Sequence, residues 1–292
     1  MKLVIGIASL GRRDVLSLTL AHLAQQTRPA DAILVCPARP CDFDAEATGE
    51  LGLPIRIVLS APGSCPQRNA ILDAAEDADL VIFFDDDFLP APTFLAACER
   101  LFVGNPDIVA ATGRVLADGV HGPGFTVTEG LAILARDDCA DVTDAPTPTY
   151  NTYGCNMAFR VAAIARDATR FDESLPLYGW QEDVDFCRRL APHGRVVHSP
   201  ALRGVHLGSE NGRSSGLRFG YSQIANPLYL VGKGSVGRGW ALRLMARNLG
   251  ANLAGSLRRP GLVDRRGRLR GNLIAFRDLV RRRISPGRIL EL

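Results

Sequence analysis

No stretch of about 18 uninterrupted apolar residues occurs in this 292-residue chain, so nothing in it reads as a membrane-spanning helix. The opening Met1-Lys2-Leu3-Val4-Ile5-Gly6 is too short and too strand-like for a secretory leader, and the chain is expected to stay in the cytoplasm. Its seven cysteines are odd in number and scattered, with no C-x-x-C pair. That argues against both a disulfide framework and a zinc site, and for reduced thiols. Neither G-x-G-x-x-G nor a Walker motif is present. Phosphate, if handled at all, falls to metal and side chains rather than to a glycine cradle.

What is there is a well-cored globular composition, with 47% hydrophobic and 22% charged residues. The length suits one large α/β domain with an appendage, or two small domains. A net charge of +3 conceals an asymmetry: from Lys233 onward fifteen Lys and Arg face three acids, whereas the first 232 residues hold 19 basic against 28 acidic residues. An acidic body thus carries a basic tail, of the kind that meets anionic lipid, nucleic acid or another polyanion.

The most informative segment is Val81-Ile82-Phe83-Phe84-Asp85-Asp86-Asp87, an apolar run that ends in three consecutive carboxylates. So close together they cannot all stay ionised without a counter-cation or a proton, and a divalent metal resolves the conflict. In an open α/β sheet, ligands gather beyond the carboxyl ends of the strands, where this cluster would sit. An ordinary solvated turn fits less well, because Phe88-Leu89-Pro90 follows without Gly, Ser or Asn.

Strand-like and helical patterns alternate through the first 115 residues, as in a parallel sheet with crossover helices. The strands are Leu3 to Ala8, Ala32 to Cys36, Ile55 to Leu59, Leu80 to Phe84 and Ile108 to Val115; the helices are Asp14 to Gln26, Pro66 to Ala75 and Pro92 to Phe102. Residues Ala117 to Tyr150 lose this periodicity. Order returns with Gly154 to Arg160, a helix from Val161, and a helix in Gly179-Trp180-Gln181-Glu182-Asp183-Val184-Asp185-Phe186-Cys187-Arg188-Arg189-Leu190, whose inward face is Val184, Cys187 and Leu190. Acids at a helix start are usually dipole partners. Here Trp180 precedes them as a possible apolar wall for a sugar, with Asp183 placed to take a proton from a hydroxyl.

Together these pieces resemble the family 2 glycosyltransferases of the bacterial polysaccharide type, inverting enzymes of the GT-A fold, over roughly residues 3–210. The carriers are the opening strand and turn Val4 to Arg13, Gly63-Ser64-Cys65-Pro66-Gln67-Arg68-Asn69, Asp85-Asp86-Asp87 as the family's D-x-D, Gly154 to Arg160, Phe171-Asp172-Glu173, and Glu182-Asp183. Two segments differ from the family's usual form. Val35-Cys36-Pro37-Ala38-Arg39 has no acid after the second strand, and Ala8-Ser9-Leu10-Gly11-Arg12 stands where Pro-Thr-Tyr-Asn is common.

The resemblance implies a GT-A type, Rossmann-like, mostly parallel sheet flanked by helices, with a C-terminal helical extension. It implies a catalytic domain over residues 1–212, divided into a nucleotide-sugar half (1–115) and an acceptor half (116–212), followed by a basic helical extension over 213–292. Donor-binding residues would be Ala8, Ser9, Arg12, Arg68, Asp85 and Asp86. Asp87, Asp85 and His206 would hold Mn2+ or Mg2+, Asp183 would be the general base, and Trp180 and Glu182 would meet the acceptor. The implied reaction moves a sugar from a nucleoside-diphosphate sugar to a hydroxyl of a glycan or lipid-linked glycan, in cell-surface polysaccharide or glycolipid synthesis.

Two other readings compete with transfer. A sugar-phosphate nucleotidyltransferase also places carboxylates and metal beside a nucleotide, but usually opens with a glycine-rich basic loop that is missing here. A catalytically silent module docked on a membrane assembly would have no need of Asp85, Asp87 and Asp183. In the tail, Leu242, Met245, Leu249 and Leu253 recur at helical spacing near Trp240, among Arg238, Arg243, Arg247, Arg258 and Arg259. This is the pattern of a helix lying in a membrane interface, so a peripheral position on the anionic inner face of the cell membrane is expected. No aromatic residues interleave the Arg runs as single-strand binding would favour, so no nucleic-acid partner is expected.

Overall fold

The computed structural model describes residues 1–137, 145–209, 215–257 and 262–292. Cys139, Arg258, Arg259 and the expected boundary at residues 212–213 lie outside the described residues. In chain order the elements are β1 (Leu3–Ser9), α1 (Arg13–Leu23), β2 (Ala32–Pro37), α2 (Ala45–Gly49), β3 (Ile55–Ile57), α3 (Ser64–Ala74), β4 (Leu80–Asp85), β5 (Phe88–Pro90) and α4 (Phe94–Gly104). Then come β6 (Ile108–Asp118), α5 (Val127–Ala135), β7 (Thr147–Pro148), β8 (Asn156–Arg160), α6 (Val161–Arg166), α7 (Glu182–Leu190), β9 (Arg195–His206), α8 (Gly216–Lys233), α9 (Arg238–Ser256) and α10 (Arg265–Val280).

The strands form one sheet in the order β3-β2-β1-β4-β8-β6-β9-β5, with β7 added on β9. The first four are mutually parallel. Strand β8 then enters antiparallel between β4 and β6, and β6 and β9 run parallel to one another. Strands β1 and β4 are almost continuously apolar because helices cover both of their faces. Alternation along them feeds two cores: Val4, Val81 and Phe83 join Phe159, Phe171 and Phe186 on one side. Leu3, Ile5, Ile82 and Phe84 join Leu16, Leu20, Phe88 and Phe94 on the other. Phe171 stacks on Phe186 with ring centroids 4.2 Å apart, bringing the start of α7 over the sheet.

The basic tail packs against this body. Leu230 of α8 and Val236 are buried in the same core as Phe83 and Phe171, with Trp240 packed on them. Helices α8 and α10 cross with their backbones nearly touching: a Cβ on Gly220 would lie 2.0 Å from the Arg268 carbonyl oxygen, and one on Gly271 2.1 Å from that of Leu217. A buried amide network then fixes α9 against both, with Asn252 Nδ2 donating to Gln223 Oε1 (2.7 Å) and Asn272 Oδ1 (2.9 Å). The apolar positions expected to form one stripe on α9 divide. Met245 is buried, whereas Leu242 is 62% and Leu253 53% exposed.

Candidate active site at the end of β4

Strand β4 ends at Asp85, whose N–H donates to the Cys155 carbonyl (3.2 Å), and the chain turns through Asp86 and Asp87 into β5. The turn gives the three carboxylates different neighbours. Asp86 turns inward, accepting from Ser9 Oγ (2.6 Å) and Arg12 Nη1 (2.8 Å), while its carbonyl accepts from Thr19 Oγ1 (2.9 Å). Burial pushes the Asp86 carboxyl up to about 6 against the pull of Arg12. Ser9, Arg12 and Asp86, expected at the donor, thus form one hydrogen-bonded unit at the tip of β1. Ala8, opposite Asp85 in the β1–β4 ladder, is half-buried beside it.

Asp85 and Asp87 point to the other side, toward His206 at the end of β9. His206 Nε2 lies 3.3 Å from Asp87 Oδ1 and 3.8 Å from Asp85 Oδ2. One ligand atom from each of the three falls within 4.8 Å of the others. Asp87 is fully buried; its Oδ2 accepts from the Ser209 N–H (2.8 Å) and lies 3.2 Å from Arg12, while its Oδ1 faces His206 Nε2. Burial alone would raise the Asp87 carboxyl, but His206, Arg12 and the Ser209 N–H together hold it down at about 2. Burial of Asp85 raises its carboxyl, partly offset by Arg68. Burial would lower the His206 imidazole, yet Asp118, Asp87 and Asp85 outweigh it and lift it to about 10. Two carboxylates and an imidazole that present ligand atoms to one another at this spacing fit a divalent cation such as Mn2+ or Mg2+ in oxygen-rich coordination.

The second acidic cluster divides in the same way. Arg68 and Glu182 are both buried and form an ion pair, and Arg68 Nη2 also donates to Asp85 Oδ1 (3.2 Å) and the Gly154 carbonyl (3.3 Å). Glu182, expected beside the acceptor, is therefore turned toward Arg68 and, through it, Asp85. Asp183 faces away from that pair. One of its oxygens accepts from the Val184 N–H (2.8 Å) and the other from Asn151 Nδ2 (3.3 Å). Burial, then the charge of Glu182, raises its carboxyl to about 7. Trp180 is half-buried, its ring tilted against Phe219 of α8 at 5.6 Å, and its carbonyl accepts from Asn226 Nδ2 (2.8 Å). The indole is thus shared with the tail.

Two residues absent from the sequence reading join the site. Asp118, at the end of β6, accepts from His206 Nδ1 (3.0 Å) and from the Tyr153 hydroxyl (2.7 Å). Burial would raise the Asp118 carboxyl, but these partners bring it down to about 2. The only sequence signal for Asp118 is its place as the sole acid in the Leu116-Ala117-Asp118-Gly119 strand end.

No protein-family model matches the chain, and no curated protein does. Solved structures do. A 1–349 fragment of TarS from S. aureus matches with a TM-score of 0.59 at 15% identity, over 99% of this chain and 82% of that one. The chain spans only 44% of the longer TarS chain. The mannosyltransferase PcManGT from Pyrobaculum calidifontis, crystallised with GDP-Man and Mn2+, matches with a TM-score of 0.54 at 15% identity, over 99% and 85% of the two chains. The TarS fragment in complex with UDP-GlcNAc matches at 0.55 and 14% identity, over 87% and 73%. With the parallel β3-β2-β1-β4 block and its acidic terminus already in place, these similarities establish that the chain has the GT-A fold found in glycosyltransferases.

Proposed function

We propose that this chain is a metal-dependent inverting glycosyltransferase that moves a sugar from a nucleoside-diphosphate sugar to a hydroxyl of a glycan or lipid-linked glycan. The observation that carries the reading is the convergence of Asp85, Asp87 and His206 at the carboxyl end of a GT-A sheet, with one ligand atom from each within 4.8 Å of the others. Support comes from relatives in fold: PcManGT was crystallised with GDP-Man and Mn2+, and the TarS fragment with UDP-GlcNAc.

In this reading residues 1–115 hold the nucleotide sugar and residues 116–212 the acceptor. Asp85, Asp87 and His206 would hold Mn2+ or Mg2+, which when bound offsets the charge that develops on the leaving diphosphate. Ser9, Arg12 and Asp86 shape the donor side next to Ala8, and Arg68 keeps Asp85 and Glu182 in register. Asp183 takes the acceptor proton as the new bond forms, a role typically worth ~10²–10⁴-fold. A raised pKa suits it to that role, because a base poised near neutrality is matched to its task. Trp180, backed by Phe219, supplies an apolar wall for the acceptor.

No helix among the described residues is long and apolar enough to cross a membrane. Exposed Leu242, Leu253, Leu273 and Val280 among exposed Arg243, Arg247, Arg270 and Arg277 support a peripheral position of the tail on an anionic membrane. That position would bring the site to a lipid-linked acceptor in cell-surface polysaccharide or glycolipid synthesis.

Incubating the purified chain with a panel of nucleoside-diphosphate sugars, with and without Mn2+, tests the reaction. Metal-dependent release of free nucleoside diphosphate is expected. Pyrophosphate release from a nucleoside triphosphate and sugar phosphate would replace this reading with a nucleotidyltransferase, and neither product would remove catalysis.

A further inference from the structure

Asp118 and His206 are partners in the parallel β6–β9 ladder, at the last residue of each strand. The backbones beyond them are pressed together: a Cβ on Gly119 would lie 1.9 Å from the Leu207 carbonyl oxygen, and one on Gly208 2.2 Å from the Gly119 carbonyl carbon. Only glycines at both positions let the two strand ends approach so closely, and the approach sets Asp118 Oδ1 3.0 Å from His206 Nδ1. Asp118 is itself held. Its Oδ1 accepts from the Val120 N–H (3.1 Å) and its Oδ2 from the Tyr153 hydroxyl (2.7 Å). Tyr153 also sets its ring edge-on to the imidazole, with centroids 6.1 Å apart. The tyrosine is in turn anchored where its backbone N–H donates to Thr112 Oγ1 (3.1 Å).

We infer that Asp118 and Tyr153 are positioning residues that fix His206 as a metal ligand, by holding the proton on Nδ1 so that Nε2, set between Asp85 and Asp87, is the nitrogen a cation would take. The inference rests on the metal-dependent reading above and adds to it two residues that act through His206. The chemistry is that of an imidazole whose far nitrogen donates to a carboxylate. The carboxylate selects one tautomer, restrains the ring and makes the near nitrogen a better donor to the cation. Without Asp118 the ring is free to turn, and Nδ1 and Nε2 become competitors for the same proton. The Tyr153 hydroxyl acts one step further out, holding the carboxylate against Nδ1.

The test uses the full chain and Mn2+ alone, with binding read by electron paramagnetic resonance of free Mn2+. Asp118→Asn is expected to weaken Mn2+ binding about 10–100-fold, the usual cost of losing such an outer partner. Tyr153→Phe should show a smaller loss in the same direction, and metal-free thermal unfolding should be little changed in both. In the Mg2+-loaded wild type, nitrogen-15 spectra should show His206 protonated only at Nδ1, a signature that Asp118→Asn blurs. Both variants binding Mn2+ as the wild type does, while His206→Ala does not, would overturn the inference and leave the metal site standing. A wild type that binds no Mn2+ would instead sink the metal-dependent reading itself. Should Asp118→Asn not fold, Tyr153→Phe and the tautomer spectrum decide alone.

Discussion

Arg68 and Glu182, 114 residues apart in the chain, close on one another inside the protein as a buried ion pair. The pair joins the start of α3 to the start of α7, and through the second Arg68 nitrogen it reaches Asp85. One guanidinium thus connects the strand-end carboxylates to the helix that carries Asp183. Removing one member of such a pair leaves an uncompensated charge in a low-dielectric setting. Arg68→Ala is expected to lower stability by about 3–5 kcal/mol in urea denaturation. A variant as stable as the parent would show that water or another cation replaces the guanidinium.

Asp87→Ala should abolish the dependence of nucleoside-diphosphate binding on Mn2+ while the fold survives, because the carboxylate sits at a strand end where Arg12 keeps Asp86 as a partner. Titration calorimetry with and without Mn2+ checks it. Equal affinity in the two conditions for the wild type would remove the metal from the donor site.

Asp183→Asn should leave donor affinity nearly intact and cut kcat by ~10²–10⁴-fold, since a general base acts in the transition state rather than in the donor complex. The carboxyl is raised to about 7, so it is protonated and inactive at lower pH. Turnover is therefore expected to climb tenfold per pH unit below about 7 and to level off above it. A wild-type profile that is flat between pH 5 and 8 would place the base elsewhere, with Asp185 excluded by its contacts to Arg189, Lys233 and Ser235.

The exposed side chains of α9 give a membrane test that spares the core. In liposome flotation the full chain should bind anionic vesicles and release them as salt rises. A variant carrying Leu242→Ser, Leu253→Ser, Arg243→Glu and Arg247→Glu should stay folded and fail to float, since each reversed Arg forfeits about 1 kcal/mol at an anionic surface. Wild-type chain that ignores anionic vesicles would leave the tail as packing alone. Truncation at Gly232 is the poorer experiment, because the deleted segment includes Val236 and Trp240 of the core cluster.

Much of the sheet and its flanking helices is legible in the chain itself. Buried strands announce themselves as apolar runs, so β1, β2 and β4 fall where Leu3 to Ala8, Ala32 to Cys36 and Leu80 to Phe84 place them. The break from Phe84 into three carboxylates is local as well, and it marks the end of β4 without reference to any partner. Helix α7 begins at Glu182, where the acids and the inward Val184, Cys187 and Leu190 put it.

Tertiary structure alone decided which carboxylate does what. The sequence presents Asp85, Asp86 and Asp87 as equals, and Glu182 and Asp183 likewise. Packing separates them, sending Asp86 to Ser9 and Arg12, Asp85 and Asp87 to His206, Glu182 to Arg68, and Asp183 out toward Asn151. The division of the α9 stripe has the same origin, since helical spacing says which residues share a face but not which face finds a neighbour. Asp118 was invisible for a related reason. Its meaning depends on β6 and β9 being adjacent and in register across 88 residues, and on β8 entering between β4 and β6. Local periodicity records whether a side chain is turned inward, whereas strand order and register, set by the whole core at once, determine what it meets there.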